Sequence, residues 1–245
     1  MRYSITLFLS LLFCSLHAQW KDIPLSEFRD VIIKVEEQTA KSKSFSYHAD
    51  IYLFAQHNST DTMNTVSSNL VYNAKRKTIN FNQLSNFIIQ DETHQVVLDT
   101  VNKMVMLLDA NPSYVQQKQF VDFELLLKSE CKAQKMEKDK LQGFKISFAP
   151  GAQYASLELW LDSKLNVVKM VLYAGVDVID DTDWNNVKTL RPRMEIYLSN
   201  YEFDKAAEKK NVIPISAVIL DVDEKILAEQ YKNYELIDMR SIRVN

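Results

Sequence analysis

Glycine is nearly missing from this chain: 245 residues hold three, Gly143, Gly151 and Gly175. No two stand close enough to build a phosphate-cradling loop, which excludes P-loop and dinucleotide-binding readings. Cysteine is scarcer still, with Cys14 and Cys131 alone. Cys14 lies in the N-terminal apolar run, so Cys131 would remain without an internal disulfide partner. A basic footprint is absent as well, because the formal net charge is −3, which argues against nucleic acid as a partner. No apolar stretch reaches the roughly 20 residues that span a bilayer.

The N-terminus, MRYSITLFLSLLFCSLHAQW, has the layout of a cleavable export signal. Arg2 supplies the positive start, Ile5 to Leu16 the apolar stretch, and Ala18 the small residue at which a peptidase cuts, before Gln19 or one residue later. Phe13 stands where processing of a lipidated Cys14 needs a small residue, so lipidation is not expected. Residues 1–19 are read as a signal peptide and 20–245 as a single exported domain, periplasmic or secreted. With no disulfide available, burial alone must hold that domain together, and a 47% hydrophobic composition makes this feasible.

Periodicity organises the remainder. Phe28, Val31, Ile32 and Val35 recur at helical spacing after Ser26, which predicts an amphipathic helix capped by Ser26 and ending near Ala40. Phe45 to Ile51 then alternates with period two, and Val66, Ser68, Leu70 and Tyr72 return from a polar tip as the second arm of a long hairpin. Short polar turns separate strands at 78–81, 87–90, 95–98 and 103–108, an antiparallel meander. Asn111-Pro112 interrupts it, and Phe120, Phe123, Leu126 and Leu127 predict a second helix over 119–131. An exposed strand or loop at 132–140 leads to a strand at 143–148. A hairpin follows from 154–161 and 166–173, then a strand at 194–198. The tail carries an apolar strand at 215–220, a segment at 225–231 that fits helix or strand, and a final strand at 234–238.

The polar residues yield no catalytic constellation. His48, His57 and His94 fall on a strand, a loop tip and a turn without an i, i+4 partner, so no metal site is assigned. Asp177, Asp180, Asp181 and Asp183 form an acidic loop that lacks the glycine a calcium loop needs, and Asp221, Asp223 and Glu224 repeat the pattern; both read as solvated turns. No GxSxG elbow occurs, and Cys131 ends an apolar face among lysines. Paired carboxylates for glycoside chemistry have no fixed spacing, and nothing singles out a pair. The chain is therefore read as a non-enzymatic protein with no cofactor. Its apolar side chains say more: Tyr47, Ile51, Leu70, Tyr72, Phe81, Met104, Met106 and Trp160 sit on predicted inward strand faces. Methionine and aromatic side chains adapt to irregular apolar partners, which suits a hydrophobic ligand cavity as well as an ordinary core.

The order of segments resembles the outer-membrane lipoprotein carrier family and its periplasmic relatives. A helix leads to "SFSYHADIYL", a hairpin returns through "SNLVYNAKRKTINF", and "FIIQDETHQVVLDTVNKMVMLLDANPSY" precedes a short helix and the hairpin "SLELWLDSKLNVVKMVLY". The resemblance covers roughly residues 25–205 as a pattern of segments, not a run of identities. It implies a mainly β fold with helices, in which a curved antiparallel half-barrel is covered by the N-terminal and mid-chain helices over an apolar cavity. It further implies an acyl chain or other hydrophobic ligand. In that family the second strand ends in an arginine that helps hold the lid, followed by proline. Here Arg76 stands at the matching place and Lys77 replaces the proline. Residues 206–245 have no counterpart in the minimal carrier and are read as an extension that covers a sheet edge or docks an envelope protein partner. The alternative reading is a structural or accessory subunit of an envelope or secretion assembly, with a packed core and no small ligand.

Overall fold

The computed structural model describes residues 19–83, 86–111, 131–180 and 188–240. After β1 (Lys21–Ile23) comes α1 (Leu25–Lys41). Seven strands precede residue 110 in all, the others being β2 (Phe45–Phe54), β3 (Thr62–Asn73), β4 (Thr78–Gln83), β5 (Asn86–Gln90), β6 (His94–Asp99) and β7 (Met104–Asp109). The chain re-enters at β8 (Cys131–Lys138) and continues through β9 (Leu141–Phe148), β10 (Tyr154–Leu161) and β11 (Val167–Ala174). A ribbon of β12 (Val178–Asp180) and β13 (Lys188–Leu190) leads to β14 (Arg193–Phe203). The tail holds α2 (Lys205–Glu208), a 3-10 turn at Ile215–Ala217, β15 (Ile219–Asp221), β16 (Ile226–Leu227) and β17 (Glu235–Asp238).

Thirteen of these strands form one open sheet in the order β1-β8-β9-β10-β11-β14-β2-β3-β4-β5-β6-β7-β17. Every ladder in it is antiparallel except that of β17, which runs parallel to β7. Strand β7 lies near one edge of the sheet and β8 near the other.

Each face of the sheet has its own core. Helix α1 places Phe28, Ile32 and Val35 against Phe45, Tyr47 and Ala49 of β2, Phe144 and Ile146 of β9, and Leu157, Leu159 and Leu161 of β10. The rings of Phe28 and Phe144 meet with centroids 5.8 Å apart. The other face of β5, β6 and β7 buries Ile89, Val96, Leu98, Val105 and Leu107 beneath Ile215, Val218 and Ile219 of the tail. Two arms therefore sandwich different stretches of one sheet from opposite sides.

The scarcity of glycine leaves its mark at the turns. Lys77, Lys103, Leu165, Asn200 and Lys225 all take positive φ, between 51° and 63°. A side chain in that left-handed region costs roughly 1–2 kcal/mol. Asn200 marks a bulge in β14, where the β2 register shifts between Ser199 and Glu202.

Three expectations are corrected. Ser26 does not cap α1: the helix starts at Leu25 with Pro24 at the cap, so Ser26 lies in its first turn. Residues 215–220 are not one strand, because a 3-10 turn over Ile215–Ala217 precedes β15. Cys131 does not end a helix but opens β8 opposite Phe148, half-buried, and burial raises its thiol pKa. The rest of the mid-chain helix expected over 119–131 lies outside the described residues, as do Asp181 and Asp183.

Candidate functional site: an apolar ladder across the sheet

The alternation that builds β2 turns Phe45, Tyr47, Ala49 and Ile51 toward the α1 side, where the first three are buried. Strand register carries that face outward. Tyr47 stands opposite Leu70, Leu70 opposite Phe81, Phe81 opposite Ile88, and Ile88 opposite Val97. Val97 then faces Met106, and Met106 faces Ile237. The result is an unbroken apolar row across β2 to β7 and β17. From Leu70 onward every member is half-buried, whereas Tyr47 is 8% exposed.

Both borders of the row mix polar and apolar side chains. On one flank are Tyr72, Ile79, Gln90, Gln95 and Leu108, in register with one another. Gln90 is 1% exposed and its amide grips the backbone of Asn111. Its Nε2 donates to the Asn111 carbonyl at 2.9 Å, and the Asn111 N–H donates to its Oε1 at 3.0 Å. Because Gln90 belongs to the α1-side face, the chain leaves β7 on that side. On the other flank are Ser68, Asn86, Asp99 and Met104. At the β2 end, Tyr201 packs on Tyr47 at 5.8 Å and donates its hydroxyl to the Val167 carbonyl at 2.6 Å. Burial raises the pKa of both phenols, so they stay neutral hydrogen-bonding groups.

The structure brings seven of the nine expected residues to one face. Tyr47, Leu70, Phe81 and Met106 belong to the row itself, while Ile51, Tyr72 and Met104 lie beside it. Arg76 is exposed in the β3–β4 turn, where its backbone N–H donates to Asn73 Oδ1 at 3.1 Å. Trp160 faces the opposite way. The core side of β10 is taken by Leu157, Leu159 and Leu161, so parity sends Trp160 to the outer face. There its ring lies over Gly143 and meets Trp20 at 5.7 Å. Ile88, Val97 and Ile237 were not among the expected residues. Val97 and Ile88 sit in runs apolar on both faces, which hides the period-two signal.

The outer face around Trp160 is ionic rather than apolar. Lys145 pairs with Glu158 at 3.3 Å, Lys169 with Glu195 at 2.9 Å, and Arg193 with Glu195 at 3.0 Å. Arg193 also donates to the carbonyls of His57 and Ser59, tying down the β2–β3 loop. Its guanidinium lies 4.0 Å from the Phe54 ring centre. Burial pushes the Glu195 carboxyl up, but hydrogen bonds from Tyr197 and Lys169 outweigh it and hold the pKa below its usual value.

Each histidine among the described residues has a hydrogen-bond partner: His48 with Asp50 and Asn69, His57 with the Ala174 carbonyl, and His94 with Thr93. Asp177 pairs with Arg191 at 2.8 Å, and Asp221 accepts from the backbone of Asp223 and Glu224. Among the described residues no group of three or more His, Cys, Asp or Glu side chains is placed to hold a metal ion. Nor is any described helix long and apolar enough to cross a membrane.

No family model and no curated protein matches the chain. Solved structures similar to it include an uncharacterized conserved protein from Thermus thermophilus, 8% identical, covering 86% of this chain and 99% of that one at a TM-score of 0.44. A LolA superfamily protein from Nitrosomonas europaea is 10% identical and covers 83% and 98% at a TM-score of 0.31. The lipoprotein LppX from Mycobacterium tuberculosis is 14% identical and covers 75% and 97% at 0.33.

Proposed function

We propose that this chain is an exported, non-enzymatic carrier of half-barrel form that holds an acyl chain or other hydrophobic ligand along the ladder from Tyr47 to Ile237. The leader, residues 1–19, would be removed on export to the periplasm or exterior. The observation that carries the reading is the row itself: apolar side chains in direct register over seven strands, half-buried from Leu70 onward. Neighbouring strands stand about 4.8 Å apart, so its six steps extend roughly 29 Å along the sheet, room for a long extended chain. The Gln90 clamp supports the same face, because it holds the Asn111 backbone beside the row. Ten buried methylenes would contribute about 8 kcal/mol before the cost of immobilising the ligand. In this reading Arg76 and Trp160 play no part in the cavity, and the extension from 206 offers the surface for a protein partner.

The test is titration of the mature protein with a fluorescent fatty acid. Saturable binding is expected, weakened tenfold or more by Met106→Gln, because an amide in the row lacks a polar partner in an acyl chain. Tyr197→Gln, on the outer face, should bind like the wild type. Absence of saturable binding, or wild-type affinity in Met106→Gln with its circular dichroism unchanged, would overturn the proposal and favour an accessory subunit.

A further inference from the structure

Where β14 passes β2, the sheet gains a residue. Ser199 stands opposite His48 and Glu202 opposite Ser46, so Asn200 and Tyr201 share the place across from Tyr47. Asn200 takes a φ of 55° to do so. Such a bulge bends its strand, breaks the ladder locally and re-aims the side chains beside it. Next to it lies a cavity of about 420 Å³. Strand parity puts Ser46, His48, Asn69 and Glu202 on the face away from α1, and Lys210 of the tail completes the lining. Tyr47, Leu70 and Tyr201 line it from beneath, since their own side chains pack in the α1-side core. The cavity thus backs onto the apolar row and opens on the opposite face.

Ser46 is the residue that asks for a ligand. It is 4% exposed, and its hydroxyl has no hydrogen-bond partner among the described residues. Buried hydroxyls nearly always have one, because a donor and two lone pairs are costly to bury unpaired. Ser44, two residues earlier, shows the ordinary case: its Oγ accepts from the Ala74 N–H at 2.9 Å. The charges around Ser46 are already matched. Lys210 bridges to Glu202 at 2.9 Å, and His48 is held between Asn69 and Asp50. The lining therefore has no unmatched charge with which to capture an ion. What it offers is uncharged hydrogen bonding from the Ser46 hydroxyl and the Asn69 and Asn200 amides, with one acceptor and one donor in the Glu202–Lys210 pair. Both members of that pair are partly exposed, so a ligand displaces them easily.

We infer that this cavity is a second binding site, and that it takes a neutral polyhydroxyl ring, the class of a single sugar residue. Hydroxyls on adjacent ring carbons each donate and accept, which matches hydroxyl, amide and ion-pair partners set round one small concavity. The volume lies within the range of small-molecule sites, about 300–1,000 Å³. An acyl chain would leave every one of these polar groups unpaired, so the cavity and the row select different chemistry.

The experiment titrates the purified protein with glucose and N-acetylglucosamine, each free and as its methyl glycoside, followed by amide-resolved NMR. Saturable shifts are expected at Ser46, Asn69, Asn200 and Lys210, with affinity unchanged by added salt. Binding of either form supports the site; glycosides that bind as well as free sugars mark a residue within a glycan, and their failure marks a free sugar. Ser46→Ala should weaken binding about tenfold while the melting temperature holds or rises, because an unpartnered buried hydroxyl adds nothing to the fold. Fatty-acid binding should be the same in this variant as in the wild type. Asn200→Gly relieves the positive φ and removes the amide, so it should also lose affinity with its stability kept. Absence of saturable binding by every probe, or shifts confined to other residues, overturns the inference. A Ser46→Ala protein that melts below the wild type does so too, because its hydroxyl would then be partnered within the fold.

Discussion

Truncating Phe28 to alanine tests whether α1 is part of the core or a loose cover. The ring is fully buried and packs on Phe144, itself fully buried, with Ile32 and Val35 following along the same helix face. Removing a buried phenylalanine costs about 4 kcal/mol in transfer and cavity terms. Alanine's better helix propensity returns about 0.5 kcal/mol, leaving roughly 3.5 kcal/mol of net loss. With a urea m-value near 3 kcal/mol/M, the midpoint should fall by roughly 1.2 M at unchanged slope. Ile33→Ala on the same helix is the control: its side chain is 50% exposed, and the expected change is within about 0.5 kcal/mol. Urea unfolding followed by tryptophan fluorescence measures both. If Phe28→Ala unfolds at the wild-type midpoint with the same slope, α1 does not share the sheet's core and the packing argued here is wrong.

Gly143 and Asp238 offer two further tests. A Cβ on Gly143 would meet the Trp160 ring at 2.8 Å, so Gly143→Ala should cost about 1–3 kcal/mol and alter the near-ultraviolet circular dichroism of the Trp20–Trp160 pair. An unchanged spectrum with unchanged stability would contradict that packing. Hydrogen bonds from Arg240, reinforced by Lys225, hold the Asp238 carboxyl well below the usual carboxylate range. Because the folded-state pKa is the lower one, the charged form stabilises the fold above about pH 4, and that contribution declines as pH falls toward the folded value. Asp238→Asn should thus lower stability at pH 7, with the gap to wild type narrowing steadily below pH 4. A gap that stays constant across this range would remove Asp238 as the source.

Sequence pattern foretold elements best where one face is buried and the other is wet. Phe28, Ile32 and Val35 at helical spacing, and Phe45 to Ile51 in alternation, each present a single apolar face, and both became the elements expected. Strands β5 and β6 were readable as strands but not in orientation, because Ile88 and Ile89, or Val96 and Val97, are apolar on both sides. One of each pair serves the ladder and the other the core under the tail. Trp160 misled for the opposite reason. Its size suggested an inward position, yet the leucines at 157, 159 and 161 had already claimed that face. No periodicity announces that β17 would pair in parallel with β7, since their register joins residues more than 130 positions apart. The Gln90–Asn111 clamp was equally silent, being a contact between one side chain and a distant backbone.

That remote pairing has a consequence for how the molecule is made. Until residues 235–238 have emerged and docked, β7 remains an edge whose backbone donors and acceptors are open to any passing strand. Long-range closures of this kind are slow, because the loop entropy is spent before the contacts reward it. Synthesis from the N-terminus delivers this sealing strand after the other twelve strands of the sheet. The half-emerged protein is thus the state most exposed to wrong pairings, and the one in which a chaperone would find most to hold.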